Sequence, residues 1–235
     1  MIDWHSHVLP GIDDGSKSVE ESLALLSCLR AQGVHTVIAT PHYDANIESV
    51  HSFLQRRENS YRELSRRIDA ESPQILLGAE VLYYPGISRL AELSALTIGE
   101  SKLLLLEMPL SKWTEYTLRE LEEIARRGDV SLVLAHVERY FPYQTDTTWL
   151  RLYESGILMQ VNASFFTGFF QKRKALRLLR EGKIHLIGSD CHDMKRRPPT
   201  LDQAIQSISK NLGNQFLHQV NEYGISLLSQ NNTTL

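Results

Sequence analysis

Seven short apolar runs punctuate the chain, at residues 1–4, 36–40, 75–78, 103–106, 131–135, 158–161 and 184–188. They are too short for helices, and several are rich in Val, Ile and Leu, as strands buried on both faces are. The runs lead into His5, His42, Glu80, Glu107, His136, Asn162 and Asp190, polar positions spaced 26 to 38 residues apart. That interval is about the length of one βα unit.

Helical periodicity fills most of the gaps. Ser18 and Glu21 match a capping box ahead of Leu23, Leu26 and Leu29, and Gly33 sits where that helix should stop. Residues 49–70 are charged and periodic, with Phe53, Leu54, Tyr61, Leu64 and Ile68 on one side. Further helices are expected at 117–127, 148–154, 174–181, 201–212 and 215–228, while 84–99 reads as short helices and loops.

Strands alternating with helices imply a parallel sheet with right-handed crossovers. Seven such units, each with polar chemistry at the strand's C-terminal end, predict an α/β fold that is a closed or nearly closed barrel. In such barrels the active site gathers at that end. An open doubly wound sheet is the second choice, but it would use one switch point rather than every strand end. Residues 1–235 are expected to form a single domain, with about residues 229–235 a disordered tail.

Composition narrows the chemistry. With 42% hydrophobic and 23% charged residues, the chain resembles an ordinary soluble globular protein. At 235 residues it should bury roughly 70–75% of its unfolded surface, so it needs no structural metal. Metal ligands would therefore serve catalysis. A net charge of −3 argues against a nucleic-acid partner, and the short basic clusters at 171–174 and 195–197 read as solvated faces. Two distant cysteines, Cys28 and Cys191, make no disulfide framework and suggest a reducing compartment. The first residues carry no leader pattern, and no run approaches 18 apolar residues, so a cytoplasmic location without membrane insertion is expected.

Of nine histidines, His5, His7, His42, His136 and His192 fall at or just past predicted strand ends. In His5-x-His7, side chains at i and i+2 share a face, so two imidazoles can reach one ion. Asp190-x-His192 repeats that spacing, and Asp13 and Asp14 follow the first strand. Glu80 and Glu107 end apolar runs, where a buried carboxylate is costly unless a cation compensates it. Singly, each reads as a loop residue or a salt-bridged acid. Their recurrence at strand ends favours a metal site. Oxygen and imidazole donors without thiolate suit Mn²⁺, Fe²⁺ or Zn²⁺. About nine donors exceed the needs of one ion, so two or three ions with bridging carboxylates are expected.

Such a site activates a water and aligns an ester for displacement, and phosphate esters are its natural substrates. Arg139 and Arg197 sit where loop arginines could hold phosphate, although Arg197, beside Lys195 and Arg196, also reads as a surface cation. Cys191 and Arg197 form a C-x₅-R match. The residues between them include no glycine to wrap amides around a phosphate, so a cysteine mechanism is disfavoured.

Asp3-Trp4-His5-Ser6-His7, Gly11-Ile12-Asp13-Asp14-Gly15, Thr40-Pro41-His42, Gly78-Ala79-Glu80, Leu106-Glu107, Ala135-His136-Val137-Glu138-Arg139-Tyr140 and Gly188-Ser189-Asp190-Cys191-His192 together resemble the PHP (polymerase and histidinol phosphatase) superfamily. Leu9-Pro10-Gly11-Ile12-Asp13-Asp14-Gly15-Ser16, the A-H-x-E-R-Y segment and Arg197-Pro198-Pro199 resemble one branch of it. These are the bacterial manganese-dependent protein tyrosine phosphatases of capsule and exopolysaccharide operons. The match runs from residue 1 to about 210. The resemblance implies a distorted (β/α)₇ barrel with two or three ions, Mn²⁺ first and Fe, Zn or Mg as alternatives. It places His5, His7, Glu80 and Asp190 on one ion, Glu80, Glu107 and His136 on a second, and Asp14, His42 and His192 on a third, with Arg139 and Arg197 on the phosphate. It further implies hydrolysis of phosphotyrosine by a metal-bound hydroxide. The substrate would be a phosphotyrosine protein, a membrane-associated tyrosine autokinase of polysaccharide synthesis. A histidinol-phosphate phosphatase and an inactive scaffold of the same fold are the alternatives.

Overall fold

Every apolar run becomes a strand in the structure, a computed structural model that describes residues 1–229. The strands are β1 (Ile2–Ser6), β2 (Thr36–Ala39), β3 (His42–Tyr43), β4 (Gln74–Leu77), β5 (Glu80–Leu82), β6 (Leu103–Glu107), β7 (Ser131–Leu134), β8 (Leu158–Asn162) and β9 (Leu186–Gly188). Two runs continue beyond their expected ends after a break. β3 resumes β2 past Thr40-Pro41, and β5 resumes β4 past Gly78-Ala79. Pro41 has no N–H for a ladder. A Cβ at Gly78 would stand 2.9 Å from Ile98 Cγ1, so the chain there admits only glycine without a shift.

All pairings are parallel, in the orders β1-β2-β4 and β3-β5-β6-β7-β8-β9. The two ends of the curl meet just past β1 and β9. There the Asp190 N–H donates to the His5 carbonyl at 2.7 Å and the His7 N–H to the Cys191 carbonyl at 2.9 Å. The result is a distorted barrel of parallel strands, not an open sheet. Side chains alternate along each strand, as the pleat requires. Leu103 and Leu105 join Ile2, Trp4, Ile38 and Val133 in a small inner cluster. Leu104 and Leu106 face outward into the larger core under the helices.

The helices are α1 (Val19–Ala31), α2 (Val50–Ser65), α3 (Glu115–Ala125), α4 (Asp146–Glu154), α5 (Phe169–Arg180), α6 (Leu201–Leu212) and α7 (Asn214–Ser229). Ser18, Ser49, Thr114 and Thr145 cap the first four, each accepting a backbone N–H three residues on. Such caps contribute about 1 kcal/mol apiece. Against expectation, α2 stops at Ser65 and α5 begins at Phe169. The irregular stretch contains 3₁₀ turns at Ile87–Arg89 and Ala91–Leu96. α7 covers the N-terminal end of the barrel, where Gly224 lies against the Trp4 indole and Leu227 and Leu228 reach the inner cluster. Of the tail expected at about 229–235, Ser229 ends α7 and the remainder lies outside the described residues.

Candidate metal centre

Each element delivers its polar side chain at the same end of the barrel. His5 lies near the end of β1, and its side chain fits because residue 188 is glycine: a Cβ there would stand 2.5 Å from His5 Cβ. β1 shifts register against β2 between Asp3 and Ser6, where the ligand-bearing segment begins. His5 and His7 are fully buried, with their Nε2 atoms 3.1 Å apart, so the i, i+2 spacing does bring both imidazoles to one point. Glu80 Oε2 lies 3.1 Å from His5 Nε2 and 3.3 Å from His7 Nε2, and Asp190 Oδ1 lies 3.6 and 3.5 Å from the same atoms.

Glu80 is the hub. Oε2 also faces His42 Nδ1 at 3.1 Å, while Oε1 faces His136 Nε2 at 2.8 Å. His136 Nε2 lies 3.4 Å from Glu107 Oε1. Asp14 Oδ1 stands 3.3 Å from His42 Nε2 and 3.4 Å from His192 Nε2. Three sets have ligand atoms within 4.8 Å of one another: His7, Asp14, His42 and His192; His5, His7 and Asp190; and His42, Glu80 and Glu107. The structure thus gathers all nine expected ligands in one continuous cluster. Its groupings differ in detail from those the resemblance implies. His7 also joins the third group, and His42 stands beside Glu80 and Glu107, where His136 was expected alone.

The electrostatics show how much charge is confined here. Burial alone would push Glu80 and Asp190 up. His5, with His136 and His42 for Glu80 and with His7 for Asp190, holds both carboxylates well below the usual range. Burial alone would pull His7 down, but Asp13, Asp190 and Glu80 raise it well above its ordinary value. His136 is likewise raised to about 9, as Glu107 and Glu80 outweigh its burial. His192 goes the other way, to about 4, through burial and the charges of His7 and Arg197. Imidazoles and carboxylates thus compensate one another across the cluster. A divalent ion would occupy the same ground, because a ligating imidazole must be neutral. Only two residues other than glycine have positive φ among the described residues, His136 at 32° and Asp190 at 53°. Both belong to the cluster, where backbone strain of this kind tends to collect.

Arg139 and Arg197 converge on a single oxygen. Asp190 Oδ2 accepts from Arg139 Nη2, from Arg197 Nη2 at 2.6 Å and from Asn162 Nδ2 at 2.7 Å. Its other oxygen faces the imidazoles. Each guanidinium carries five N–H donors, so both keep several free. Arg197 Nη1 also donates to His192 Nε2 at 2.7 Å.

Several residues support the ligands, and of these only Asp13 was singled out from the sequence as a candidate. Asp13 accepts from His7 Nδ1 at 2.7 Å, which fixes the tautomer and leaves Nε2 facing the cluster. Gln160 Oε1 accepts the His136 N–H at 2.6 Å and lies 3.3 Å from His5 Nδ1. The Tyr140 hydroxyl stands 3.2 Å from His136 Nδ1. Asp3 accepts from the Ser189 N–H and hydroxyl at 2.7 and 2.6 Å and ties β1 to the last ligand loop. Gln160 and Asp3 had a usable signal: each is polar inside an otherwise apolar run. Cys191 is fully buried, and burial pushes its thiol far above the ordinary range, so it is no nucleophile.

By its fold the molecule is a parallel α/β barrel. It aligns with the structure of histidinol phosphate phosphatase from Lactococcus lactis subsp. lactis Il1403 at a TM-score of 0.53 and 14% identity, over 89% of this chain and 92% of the other. It aligns far more closely, at a TM-score of 0.82 and 24% identity over 100% and 96%, with the crystal structures of YwqE from Bacillus subtilis and CpsB from Streptococcus pneumoniae, described as metal-dependent tyrosine phosphatases. Residues 1–225 match the family model for capsular polysaccharide synthesis, CpsB/CapC, and the chain belongs to that family. The tyrosine-protein phosphatase CpsB of Streptococcus pneumoniae is 31% identical over 91% of both chains.

Proposed function

We propose that the protein is a metal-dependent protein tyrosine phosphatase of capsule or exopolysaccharide synthesis. One observation carries this reading: nine imidazole and carboxylate side chains, His136 among them through Glu80 and Glu107, converge beside two arginines that meet on one ligand carboxylate. His5, His7, Asp14, His42, Glu80, Glu107, His136, Asp190 and His192 would hold the ions. The all-oxygen-and-imidazole donor set fits two or three of them, with Mn²⁺ the first choice. Bound ions supply Lewis acidity and an activated water.

The chain's own part is to orient and to neutralise. Glu80 presents both oxygens to different imidazoles, which suits a bridging ligand. Asp13, Gln160 and Tyr140 hold ring orientations. Arg139 and Arg197 bind the non-bridging phosphate oxygens through the N–H groups that Asp190 leaves free. A phenolate leaves with a pKa of about 10, well below an alkoxide, so a dedicated proton donor is unnecessary. The substrate is a phosphotyrosine protein, a tyrosine autokinase at the membrane, and the enzyme works in the cytoplasm. No helix among the described residues is long and apolar enough to cross a membrane.

The test is turnover of a phosphotyrosine peptide against histidinol phosphate under Mn²⁺, with and without chelator. Chelator-sensitive release from the peptide is expected. A large advantage for histidinol phosphate, or activity indifferent to chelation, would overturn the reading.

A further inference from the structure

Exposed apolar side chains are not scattered evenly over this molecule. Ile47 follows β3, Leu110 follows β6, Tyr143 follows β7, Phe169 and Phe170 follow β8, and Met194 follows β9. All lie on connections leaving the end of the barrel that carries the ligand cluster. These are six of the ten exposed large apolar side chains among the described residues; the other four, Tyr116, Leu150, Tyr223 and Ile225, stand on helices. Concentrated apolar exposure of this kind marks a contact surface.

The surface is densest where β8 and β9, paired neighbours in the sheet, send out their loops. Phe170 is 81% exposed and Phe169 64%. Lys172 and Arg173 follow directly, with the Arg173 guanidinium 5.7 Å from the Phe169 ring centroid. On the adjoining loop, Met194 is followed by exposed Lys195 and Arg196. Asp193 is a single carboxylate beside these two cations, and its charge interacts with that of Arg196. Its carboxylate turns to their backbone N–H groups, at 2.7 and 2.6 Å. Arg197, the next residue, reaches the cluster itself. These side chains form a cationic, aromatic shelf on the segments that follow two neighbouring strands, at the end of the barrel that carries the cluster.

We propose that this shelf docks the polypeptide segment around the phosphotyrosine and selects segments whose flanking residues are acidic and apolar. Exposed Phe and Met side chains would take apolar flanks, and Lys172, Arg173, Lys195 and Arg196 would take carboxylates. The inference rests on the phosphotyrosine reading above and names the substrate class within it.

Binding and turnover separate the two. The metal-loaded full chain is titrated into labelled peptides carrying a non-hydrolysable phosphonate in place of phosphotyrosine, with Glu/Phe flanks or Lys/Ser flanks, and into an unphosphorylated Glu/Phe peptide. The Glu/Phe phosphonate is expected to bind about tenfold tighter than the Lys/Ser one at low salt. The unphosphorylated Glu/Phe peptide should keep weak, salt-sensitive binding. Phe169→Ser with Phe170→Ser, and Lys195→Glu with Arg196→Glu, should each erase most of the preference. These side chains are exposed, so folding is unaffected. Equal binding of both flanks, or a preference that survives both double variants, overturns the shelf. So does sedimentation with phosphatidylglycerol vesicles that needs these side chains while peptide preference is absent. Phosphate release is measured in parallel. Flank preference without release sinks the phosphatase reading and keeps the shelf. Release at equal kcat/KM for both flanks does the reverse.

Discussion

At its N-terminal end the barrel is closed by packing alone. Trp4, Ile2 and Leu103 fill it, and α7 lies across it with Gly224 against the indole. At the other end the strands and the segments that continue them carry His5, Glu80, Glu107, His136 and Asp190, fully or partly buried and held by opposite charge instead of shape. The two ends teach how one scaffold divides its duties. The packed end stabilises without chemistry. The charged end carries chemistry in a cluster that only a cation or bound protons can reconcile.

The sharpest way to break this contrast is at the hub. Glu80→Gln is expected to lower kcat/KM on a phosphotyrosine peptide by about a thousandfold or more, with metal content per chain falling in parallel. Full metal content with near-normal turnover would dissolve the distinction. Asp13→Asn acts one step out. Losing the acceptor that orients His7 should weaken metal binding by roughly 10- to 100-fold, readable by competition with a chelating dye. An unchanged affinity would show that the tautomer is set elsewhere.

Two glycines offer a matched pair. A Cβ at Gly188 would stand 2.5 Å from His5 Cβ, and one at Gly224 2.9 Å from Trp4 Cζ2. Gly188→Ala should cost both stability and activity. Gly224→Ala should cost roughly 1–3 kcal/mol of stability and leave kcat at low temperature unchanged. Equal activity losses in the two variants would contradict the division. The smallest effect is in pH. His7 and His136 are raised in the fold, His136 to about 9. The His136 contribution to the chelated protein is full below about pH 6.5 and lost as pH rises through about 9, and His7, also raised, adds a contribution of the same sign. Bound metal needs neutral imidazoles, so its stabilising effect grows over the same range. The difference in Tm between loaded and chelated protein should therefore widen from pH 6.5 to 9. A narrowing difference would mean that protons and metal do not compete at these rings.

Much of this was legible because strands and ligands are local signals. An apolar run followed by His or Glu marks both a strand and its functional end. What stayed hidden depends on three-dimensional neighbours. Nothing in the sequence around His42 says that its ring meets Glu80, which precedes β6 and pairs across from β3. Gln160 and Asp3 look like blemishes in apolar runs until the ring of His5 and the loop of Ser189 stand beside them. The early start of α5 was missed for a different reason. Phe169 and Phe170 would ordinarily be counted as core, yet here they open a helix into solvent. The break after β4 came from the contact between residue 78 and Ile98, which no window of sequence contains.

The meeting of β1 with the chain beyond β9 also sets an order of events during synthesis. His5 and His7 emerge among the first residues, but their partners Asp190 and His192 lie near the end of the barrel sequence. Asp3 and Ser189, which fasten the join, are separated by 186 positions. Closing so long a loop is slow and comes late. A nascent chain arrested before residue 188 would carry most of the hydrophobic strands and helices yet lack Asp190 and His192. Any such truncated product would be unable to assemble the complete cluster, so the cluster closes only once the segment after β9 has been made.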